Sequence, residues 1–273
     1  MIKIVTDSTC SPSEKYNLEN DILVNPLKIL FEDEEFTESE ALYSKIYEKM
    51  MESNEIPKTS QPSLESYIEI FNKIINEGDE VLVLTLSQNL SGTYSCACLA
   101  RNNCINPEKV FILDTQSIGQ TAVGYIYEAV DMIKKGKNIK QIISYLTKLQ
   151  TNSAISFIPE SFDNLKKNGR IGNLKAVVAS FLNIKPILIF KQGILRSDKK
   201  VIGMTKAMNE IINEVPANVK RLFVIRASFP DYFETFKNKV VSLFKHIPIE
   251  TGIVSPVVGA HVGPSIGLAW IAE

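Results

Sequence analysis

Apolar and polar positions follow two different periods in the first half of the chain. Short apolar runs that end at polar or turn residues are typical of buried strands. They occur at 2–5, 22–30, 81–84, 110–115 and 153–158. Apolar residues at helical spacing predict helices at 39–51, 64–78, 117–134 and 139–150. Strands that alternate with helices imply an α/β fold with a mainly parallel sheet, in which Pro26 marks an edge or a bend.

The pattern changes after Pro159, where closely spaced strands are mixed with helices. Two strands at 186–190 and 193–196 are separated by so few residues that they predict an antiparallel hairpin. Helices are expected at 160–168, 174–182, 205–215 and 231–245, and further strands at 221–226, 249–254 and 268–271. We therefore predict two α/β domains, a parallel-sheet domain at 1–158 and a domain with a mixed or antiparallel sheet at 159–273.

The stretch 84–95 carries the most informative local pattern. An apolar strand leads into a turn rich in hydroxyl groups, and a helix follows from Thr93, with Ser91 as its expected N-cap. A helix start offers unpaired amides and a partial positive charge, so such a turn can hold an anion. Because the turn contains no Lys or Arg, it favours one carboxylate held by neutral donors over a polyphosphate. The alternative is that Ser91 and Thr93 only cap the helix.

Three other places offer candidate polar groups. Asp7 and Ser8 follow the first strand, where open parallel sheets bind ligands, although Asp7 could equally form a turn with its own backbone. Thr59 and Ser60 lie before the helix cap at Ser63 and are free to bind a ligand or to stabilise the loop. Finally, a glycine-rich loop at 257–267 contains His261, which could donate to a carboxylate or have a structural role.

Composition narrows the choice of partners and compartments. Thirty basic and thirty-one acidic residues give a net charge of −1, without basic runs, so neither nucleic acid nor a membrane surface is an expected partner. The N-terminal segment turns polar too early for a secretory signal, and no apolar run is long enough for a membrane span, which predicts a cytoplasmic protein. Four cysteines without a C-x-x-C pair and two histidines predict reduced thiols and no metal.

Common enzymatic motifs are absent from the sequence. There is no G-x-S-x-G elbow, phosphate-binding P-loop, H-E-x-x-H helix or dinucleotide-binding G-x-G-x-x-G. A serine-dependent lipid or ester hydrolase remains an alternative, because a triad is defined by its geometry. It would use Ser91 and His261, with Asp7 or Asp114 orienting the imidazole.

Several short motifs together make the chain resemble the DegV family along nearly its whole length. They are Thr6-Asp7-Ser8, Thr59-Ser60-Gln61-Pro62, Leu90-Ser91-Gly92-Thr93-Tyr94, Gly169-Arg170-Ile171, Lys185-Pro186-Ile187-Leu188 and His261-Val262-Gly263-Pro264. The resemblance implies a two-domain α/β protein that buries one long-chain fatty acid between its domains. It also implies that the protein has no catalytic activity and no cofactor, and that it presents the carboxylate to a partner kinase, which forms an acyl phosphate.

The resemblance also implies roles for particular residues. The fatty-acid carboxylate would be held by Thr59, Ser60, Ser91, Gly92, Thr93 and His261, with Asp7, Ser8 and Ser265 in supporting positions. Arg170 corresponds to part of the kinase-docking surface. Val177, Val178 and Phe181, on the apolar helix expected at 174–182, could line the acyl tail or belong to an ordinary core. The chain departs from the family pattern at Ser265, where Gly is usual, and at Ile202, where an Arg is usual.

Overall fold

The chain forms three sheets, which are connected and covered by helices. The computed structural model describes residues 1–53, 55–170 and 184–273. Its strands are β1 Ile2–Asp7, β2 Leu23–Asn25, β3 Lys28–Leu30, β4 Glu35–Thr37, β5 Lys58–Ser60, β6 Glu80–Thr85, β7 Val110–Asp114, β8 Ala154–Pro159, β9 Ile184–Lys191, β10 Ile194–Ile202, β11 Val219–Ala227, β12 Ile249–Ile253 and β13 Ser265–Ala272. Its helices are α1 Glu14–Glu19, α2 Tyr43–Ser53, α3 Leu64–Asn76, α4 Thr93–Asn103, α5 Gly119–Lys134, α6 Ile139–Leu149, α7 Asp163–Lys167, α8 Met204–Glu214, α9 Phe233–Leu243 and α10 Pro256–Val262.

The parallel sheet predicted in the first half is confirmed as a four-stranded sheet in the order β2-β1-β6-β7. Helices α3 and α4 cover one face and α5 and α6 the other, and each face has its own apolar core. Helix α3 shows why the pattern was informative, since Tyr67, Phe71 and Ile74 are buried on one stripe and Ser63 caps the helix by accepting from the Ser66 amide.

The second half contributes a mixed six-stranded sheet in the order β10-β9-β8-β13-β11-β12. The strands pair antiparallel except for β11 and β12, which are parallel. The predicted hairpin of β9 and β10 is confirmed, and its turn is formed by Gln192 and Gly193, both with positive φ, as a tight two-residue hairpin turn requires. Strand β8 lies inside this sheet, so a division that follows the sheets would place it with the second half. The boundary at 158 stays a prediction.

A small antiparallel sheet in the order β4-β3-β5 lies between β2 and β6 along the chain and contacts α10. Pro26 directly follows β2, an edge strand of the four-stranded sheet, and precedes β3 in the small sheet, which agrees with the edge position that was one of the two alternatives predicted for it. Strand β5 carries Thr59 and Ser60, which the sequence placed only upstream of a helix. In the described ranges, no helix combines the length and apolar character that crossing a membrane requires.

The prediction of a glycine-rich loop at 257–267 is wrong. Residues Pro256–Val262 form helix α10, which begins with proline in its first turn and with the Ser255 hydroxyl accepting from the Val258 amide at 3.4 Å. The sequence did not indicate this helix because glycine is a poor helix former. Gly259 is nevertheless required here, since it packs directly against the ring of Tyr47 in α2 and leaves no room for a larger side chain. The helix predicted at 174–182 lies outside the described residues.

Candidate functional site

A mostly apolar cavity of about 340 Å³ lies between the inner face of the six-stranded sheet, helix α10 and the loops that follow β5 and β6. Strands β8, β9, β10 and β11 supply aliphatic and aromatic side chains to its wall. The described apolar lining includes Ile118, Ile155, Phe157, Phe190, Leu195, Ile225, Ala227, Val254, Val257 and Val258. We refer to this space as the apolar cavity.

Polar groups from three elements gather in the lining of the apolar cavity. Thr59, Ser60 and Gln61 come from β5 and the turn after it, Ser91 and Gly92 from the turn before α4, and His261 from α10. Ser60, Gln61 and Gly92 are exposed, so the cavity opens to solvent near these residues. The structure therefore brings together the two hydroxyl-bearing segments that lie about thirty residues apart in the sequence.

The Ser91 turn differs in one detail from the prediction, because Gly92 rather than Ser91 is the N-cap of α4. The Ser91 hydroxyl accepts from the Thr93 amide at 3.3 Å and lies 2.9 Å from the Thr93 hydroxyl. Thr93 itself is fully buried and is not part of the cavity lining. Its contact with Ser91 holds the serine hydroxyl in place, and binding of a carboxylate by Thr93 stays a prediction.

Gly92 allows the two polar segments to approach each other closely. A Cβ atom at this position would lie 2.1 Å from Oε1 of Gln61, the third residue of the Thr59-Ser60-Gln61-Pro62 motif. Only glycine leaves this space for the Gln61 amide without moving it. Gly92 thus allows the motif at 90–94 to contact the motif at 59–62, a contact that the sequence alone does not show.

His261 lies in the last turn of α10, with its Nε2 atom 2.9 Å from the Thr59 hydroxyl. Asn164 and Asn168 fix this end of the helix by donating to the Ala260 carbonyl. Burial, with a smaller effect from the positive charge of Arg170, lowers the pKa of His261 to about 4, so the imidazole is neutral at pH 7. Its Nδ1 atom has no hydrogen-bond partner among the described residues, which leaves one imidazole nitrogen available to a ligand.

Arg170 contributes a positive charge beside the polar groups. Its guanidinium donates to the Asn168 carbonyl at 2.7 Å and to the Leu90 carbonyl at 3.3 Å, and the residue is exposed and lines the cavity. The hairpin turn of β9 and β10 holds the same loop, because Asn89 donates to the Gly193 carbonyl at 2.9 Å. The Gly193 amide in turn donates to the Gln116 carbonyl at 2.8 Å. These contacts fix the loop that carries Ser91.

The three residues expected in supporting positions occupy different places. Asp7 is fully buried and does not line the apolar cavity. Its carboxylate accepts from the Leu86 amide at 2.7 Å and from the Thr9 amide at 3.0 Å. The bond to Thr9 is the local backbone turn that the sequence offered as the alternative role of Asp7. Ser8 accepts from the Leu27 amide and lines a different cavity. Ser265, at the start of β13, does line the apolar cavity.

The geometry does not assemble the triad considered for a serine hydrolase. The Nε2 atom of His261 is paired with Thr59, and the Ser91 hydroxyl is paired with Thr93. Asp7 accepts backbone amides, and Asp114 does the same from Gln116 at 2.9 Å. Within the described part of the chain, no carboxylate hydrogen-bonds the imidazole, so the histidine lacks the group that would orient it as a base.

Neither a metal site nor a disulfide is found in the parts of the chain that are described. The described residues contain no cluster of three His, Cys, Asp or Glu side chains that could hold a metal ion. The four cysteines are free, and three of them are buried.

The tail-lining residues proposed from the sequence, Val177, Val178 and Phe181, lie outside the described residues. The apolar wall that is described comes largely from strands instead, with Ile155, Phe190 and Ile225 among its members. Sequence reasoning missed these residues because an inward-facing strand residue has the same pattern whether it meets a cavity or solid core. Ile155 and Ile225 are nearly fully buried, as core residues would be.

A mostly apolar cavity with polar groups near an exposed end has the chemical character that suits an amphiphile. The chain belongs to the DegV family, because the family model described as "Uncharacterised protein, DegV family" matches residues 1–273. A DegV domain-containing protein from Halalkalibacterium halodurans is 31% identical over 281 residues, which cover 100% of this chain and 99% of the relative.

Solved structures show the same fold and confirm the predicted α/β class. A stearic acid-binding protein from Eubacterium ventriosum matches with a TM-score of 0.88 at 26% identity, covering 100% of this chain and 98% of that one. A DegV lipid-binding protein from Thermotoga maritima matches with a TM-score of 0.84 at 28% identity, covering 99% and 98% of the two chains.

Proposed function

We propose that this protein binds one long-chain fatty acid in the apolar cavity, acts in the cytoplasm, and presents the carboxylate to a partner kinase for acyl-phosphate formation. The observation that carries the binding proposal is that Thr59, Ser91 and His261, together with Ser60, Gln61 and Arg170, line a mostly apolar cavity. The hydroxyls can donate to a carboxylate, and the neutral imidazole can do so through its Nδ1 atom.

Energetics support a site with neutral donors and an apolar wall. Transfer of an acyl chain from water contributes about 0.8 kcal/mol per buried methylene, so the tail can supply most of the affinity. The polar groups need only fix the orientation of the head group. With the head group near exposed Ser60 and Gly92, the carboxylate remains within reach of a second protein.

Lipid analysis of freshly purified protein tests the binding proposal. We expect denatured protein from a bacterial host to release about one fatty acid per chain, as detected by mass spectrometry. Ala227→Phe should remove this ligand, because Ala227 is buried in the cavity wall and the larger ring fills the space. Val241→Phe, on the exposed face of α9, is the matched control and should retain it. Lipid-free wild-type protein, or full occupancy in a folded Ala227→Phe variant, would contradict the proposal.

The kinase step is supported by the family resemblance and by Arg170 at the open end of the cavity. It is tested by mixing the protein with a fatty acid, ATP and a bacterial fatty acid kinase, and trapping acyl phosphate with hydroxylamine. We expect Ile202→Arg to raise the rate, because Ile202 is 73% exposed where the family pattern has an arginine. Val241→Arg adds the same charge elsewhere and should not raise it. Absence of acyl phosphate with fatty-acid-loaded protein would refute this step while leaving the binding proposal intact.

A further inference from the structure

A second cavity, of about 870 Å³, lies on the other side of the region where α10 begins. It is bounded by the ends of β1 and β2, the starts of α1 and α2, helix α5 and the edge strand β12. Its lining includes Ser8, Ser11, Asn17, Thr37, Glu38, Tyr43, Gln120, Tyr127, Phe223, Thr251 and Ser255. We refer to this space as the polar cavity. Its position at the carboxyl ends of parallel strands is one where open α/β sheets bind ligands.

The charged residues that line the polar cavity all have the same sign. Glu14, Glu38, Glu40 and Glu250 are in the lining, and among the described lining residues there is no Lys, Arg or His. Glu40 accepts from the Glu14 amide, and Glu250 accepts from the Tyr127 hydroxyl at 3.1 Å. Arg221, which is not a lining residue, stacks on the Tyr127 ring at 5.3 Å and interacts electrostatically with Glu250. A cavity with carboxylates on several walls and no cation in its described lining attracts positively charged ligands.

Glu38 is an independent sign that the cavity serves a ligand. Its side chain lines the cavity and is only 3% exposed, which is rare for an unpaired carboxylate. The Oε1 atom accepts from the Val257 amide at 2.8 Å, whereas Oε2 has no partner in hydrogen-bonding geometry. Burial raises the pKa of Glu38 to about 7, although the Val257 amide and the nearby hydroxyls of Ser8 and Ser255 oppose this rise. A cation bound here would restore the ionised form.

Two further buried oxygen atoms in the lining lack partners. They are Oδ1 of Asn17, whose amide nitrogen donates to Ser11 and the Pro12 carbonyl, and Oε1 of Gln120. Together with Oε2 of Glu38, all three are acceptors. A ligand that matches them must be rich in donors, and an ammonium group carries three donors and no acceptor.

A metal ion fits this cavity less well than an organic cation. The described residues contain no cluster of three side chains suited to a metal, and the volume far exceeds that of one ion. Tyr43 and Phe223 add aromatic side chains to the lining, besides Tyr127, on which Arg221 already stacks, and aromatic faces attract ammonium groups.

We propose that the polar cavity is a second binding site, which takes a small organic cation carrying primary ammonium groups and holds it through Glu38. This site is separate from the apolar cavity, and its existence does not depend on fatty-acid binding. Glu38 nevertheless connects the two places physically, because Val257, whose amide it binds, lines the apolar cavity.

Calorimetric titration of the full chain with 1,4-diaminobutane tests the proposal, with 1,4-butanediol as the uncharged probe of similar length. We expect the diamine to bind at about one equivalent per chain and the diol to bind at least about tenfold more weakly. Failure of the diamine to bind, or equal binding of the diol, would overturn the assignment of a cation site.

Substitutions in each cavity show where the diamine binds. Glu38→Gln keeps an oxygen for the Val257 amide and should weaken diamine binding at least about tenfold. Glu48→Gln removes the same charge from the exposed face of α2, outside the cavity, and should stay within about twofold of wild type. Glu250→Gln provides a second position and should weaken binding severalfold. Ala227→Phe, which fills the apolar cavity, should leave diamine binding intact. Undiminished binding in both glutamine variants of the polar cavity, or loss of binding in a folded Ala227→Phe variant, would refute the proposal.

Discussion

The two cavities lie on either side of the start of α10 but differ in almost every physical property. The apolar cavity has a wall that is mostly aliphatic and aromatic, with a smaller number of polar residues, among them Thr59, Ser91 and His261. The polar cavity is larger, has four glutamates in its lining and contains buried oxygens without partners. One short stretch of chain contributes lining residues to both cavities, since Val254 and Val257 line the apolar cavity and Ser255 lines the polar cavity. Adjacent residues can therefore serve opposite solvation requirements when they face different sides of one helix start.

A charge introduced into each wall should show the largest difference between the cavities. Val258→Asp places a carboxylate among the buried residues of the apolar cavity, so we expect the free energy of unfolding to fall by about 3 kcal/mol and fatty-acid binding to be lost. Val24→Asp, at a half-buried position of the polar cavity, should cost about 1 kcal/mol. Urea unfolding measures both changes, and equal losses would show that the two walls do not differ in polarity as described.

Titration of one residue from each cavity should affect stability in opposite directions. The pKa of Glu38 is raised from 4.5 to about 7 in the folded state, so its contribution to stability is complete below pH 4.5 and is lost as the pH rises through 7. The pKa of His261 is lowered from 6.5 to about 4, so its contribution is complete above pH 6.5 and is lost as the pH falls through 4.

Glu38→Gln isolates the first of these effects. Relative to wild type, we expect this variant to gain about 1–3 kcal/mol of unfolding free energy between pH 4.5 and pH 7.5. Urea unfolding across this range, with Glu48→Gln as the control, measures the change. A stability difference that does not vary with pH would mean that Glu38 titrates normally.

Removal of one hydroxyl should distinguish the cavities by fatty-acid affinity. Thr59→Val keeps the shape of the side chain but deprives the His261 imidazole of its partner at 2.9 Å. We expect the Kd for a long-chain fatty acid to rise about fivefold to tenfold. Thr251→Val makes the same change in the polar cavity and should leave this Kd unchanged. Displacement of a fluorescent fatty acid measures both, and equal effects would exclude a specific role for Thr59.

The smallest effect is expected from a methyl group added to each lining. Gly92→Ala must push the Gln61 amide aside, and because that group is the flexible end of a side chain, we expect fatty-acid affinity to fall only about twofold to fivefold. In the polar cavity, a Cβ atom at Gly252 would lie 3.6 Å from Nε2 of Gln120, an ordinary contact, so Gly252→Ala should not change the affinity. The same displacement measurement applies, and a larger effect from Gly252→Ala would contradict the comparison.

The sequence indicated the hydroxyl-bearing motifs because each is local, although it missed strand β5 and placed the N-cap of α4 at Ser91 instead of Gly92. Strand ends, helix caps and small polar residues follow short-range rules, and these rules are sufficient to locate Thr59, Ser60 and Ser91. The pairing of Thr59 with His261 could not be predicted, because it joins residues 202 positions apart and depends on a helix concealed by its glycines. That Pro256 follows Ser255 was the available signal for this helix.

Glu38 shows a second reason why sequence reasoning falls short. It stands in an acidic segment, Glu38-Ser39-Glu40, whose composition is typical of a solvated surface. Its burial arises from the packing of α10 against α2 and from its bond to the Val257 amide, a residue 219 positions away. The strand-lined wall of the apolar cavity was missed in the same way, since tertiary packing alone decides which inward-facing residues meet empty space.

The hydrogen bonds between the β9–β10 hairpin turn and the loop that carries Ser91 have a consequence for the rate of ligand release. The two larger sheets cannot separate at this edge unless the bonds of Gly193 to Asn89 and Gln116 break first. Weakening these bonds should therefore widen this side of the apolar cavity and speed the release of a bound molecule. Residence time and equilibrium affinity would then be adjustable by different residues, one set at the hairpin and the other along the wall.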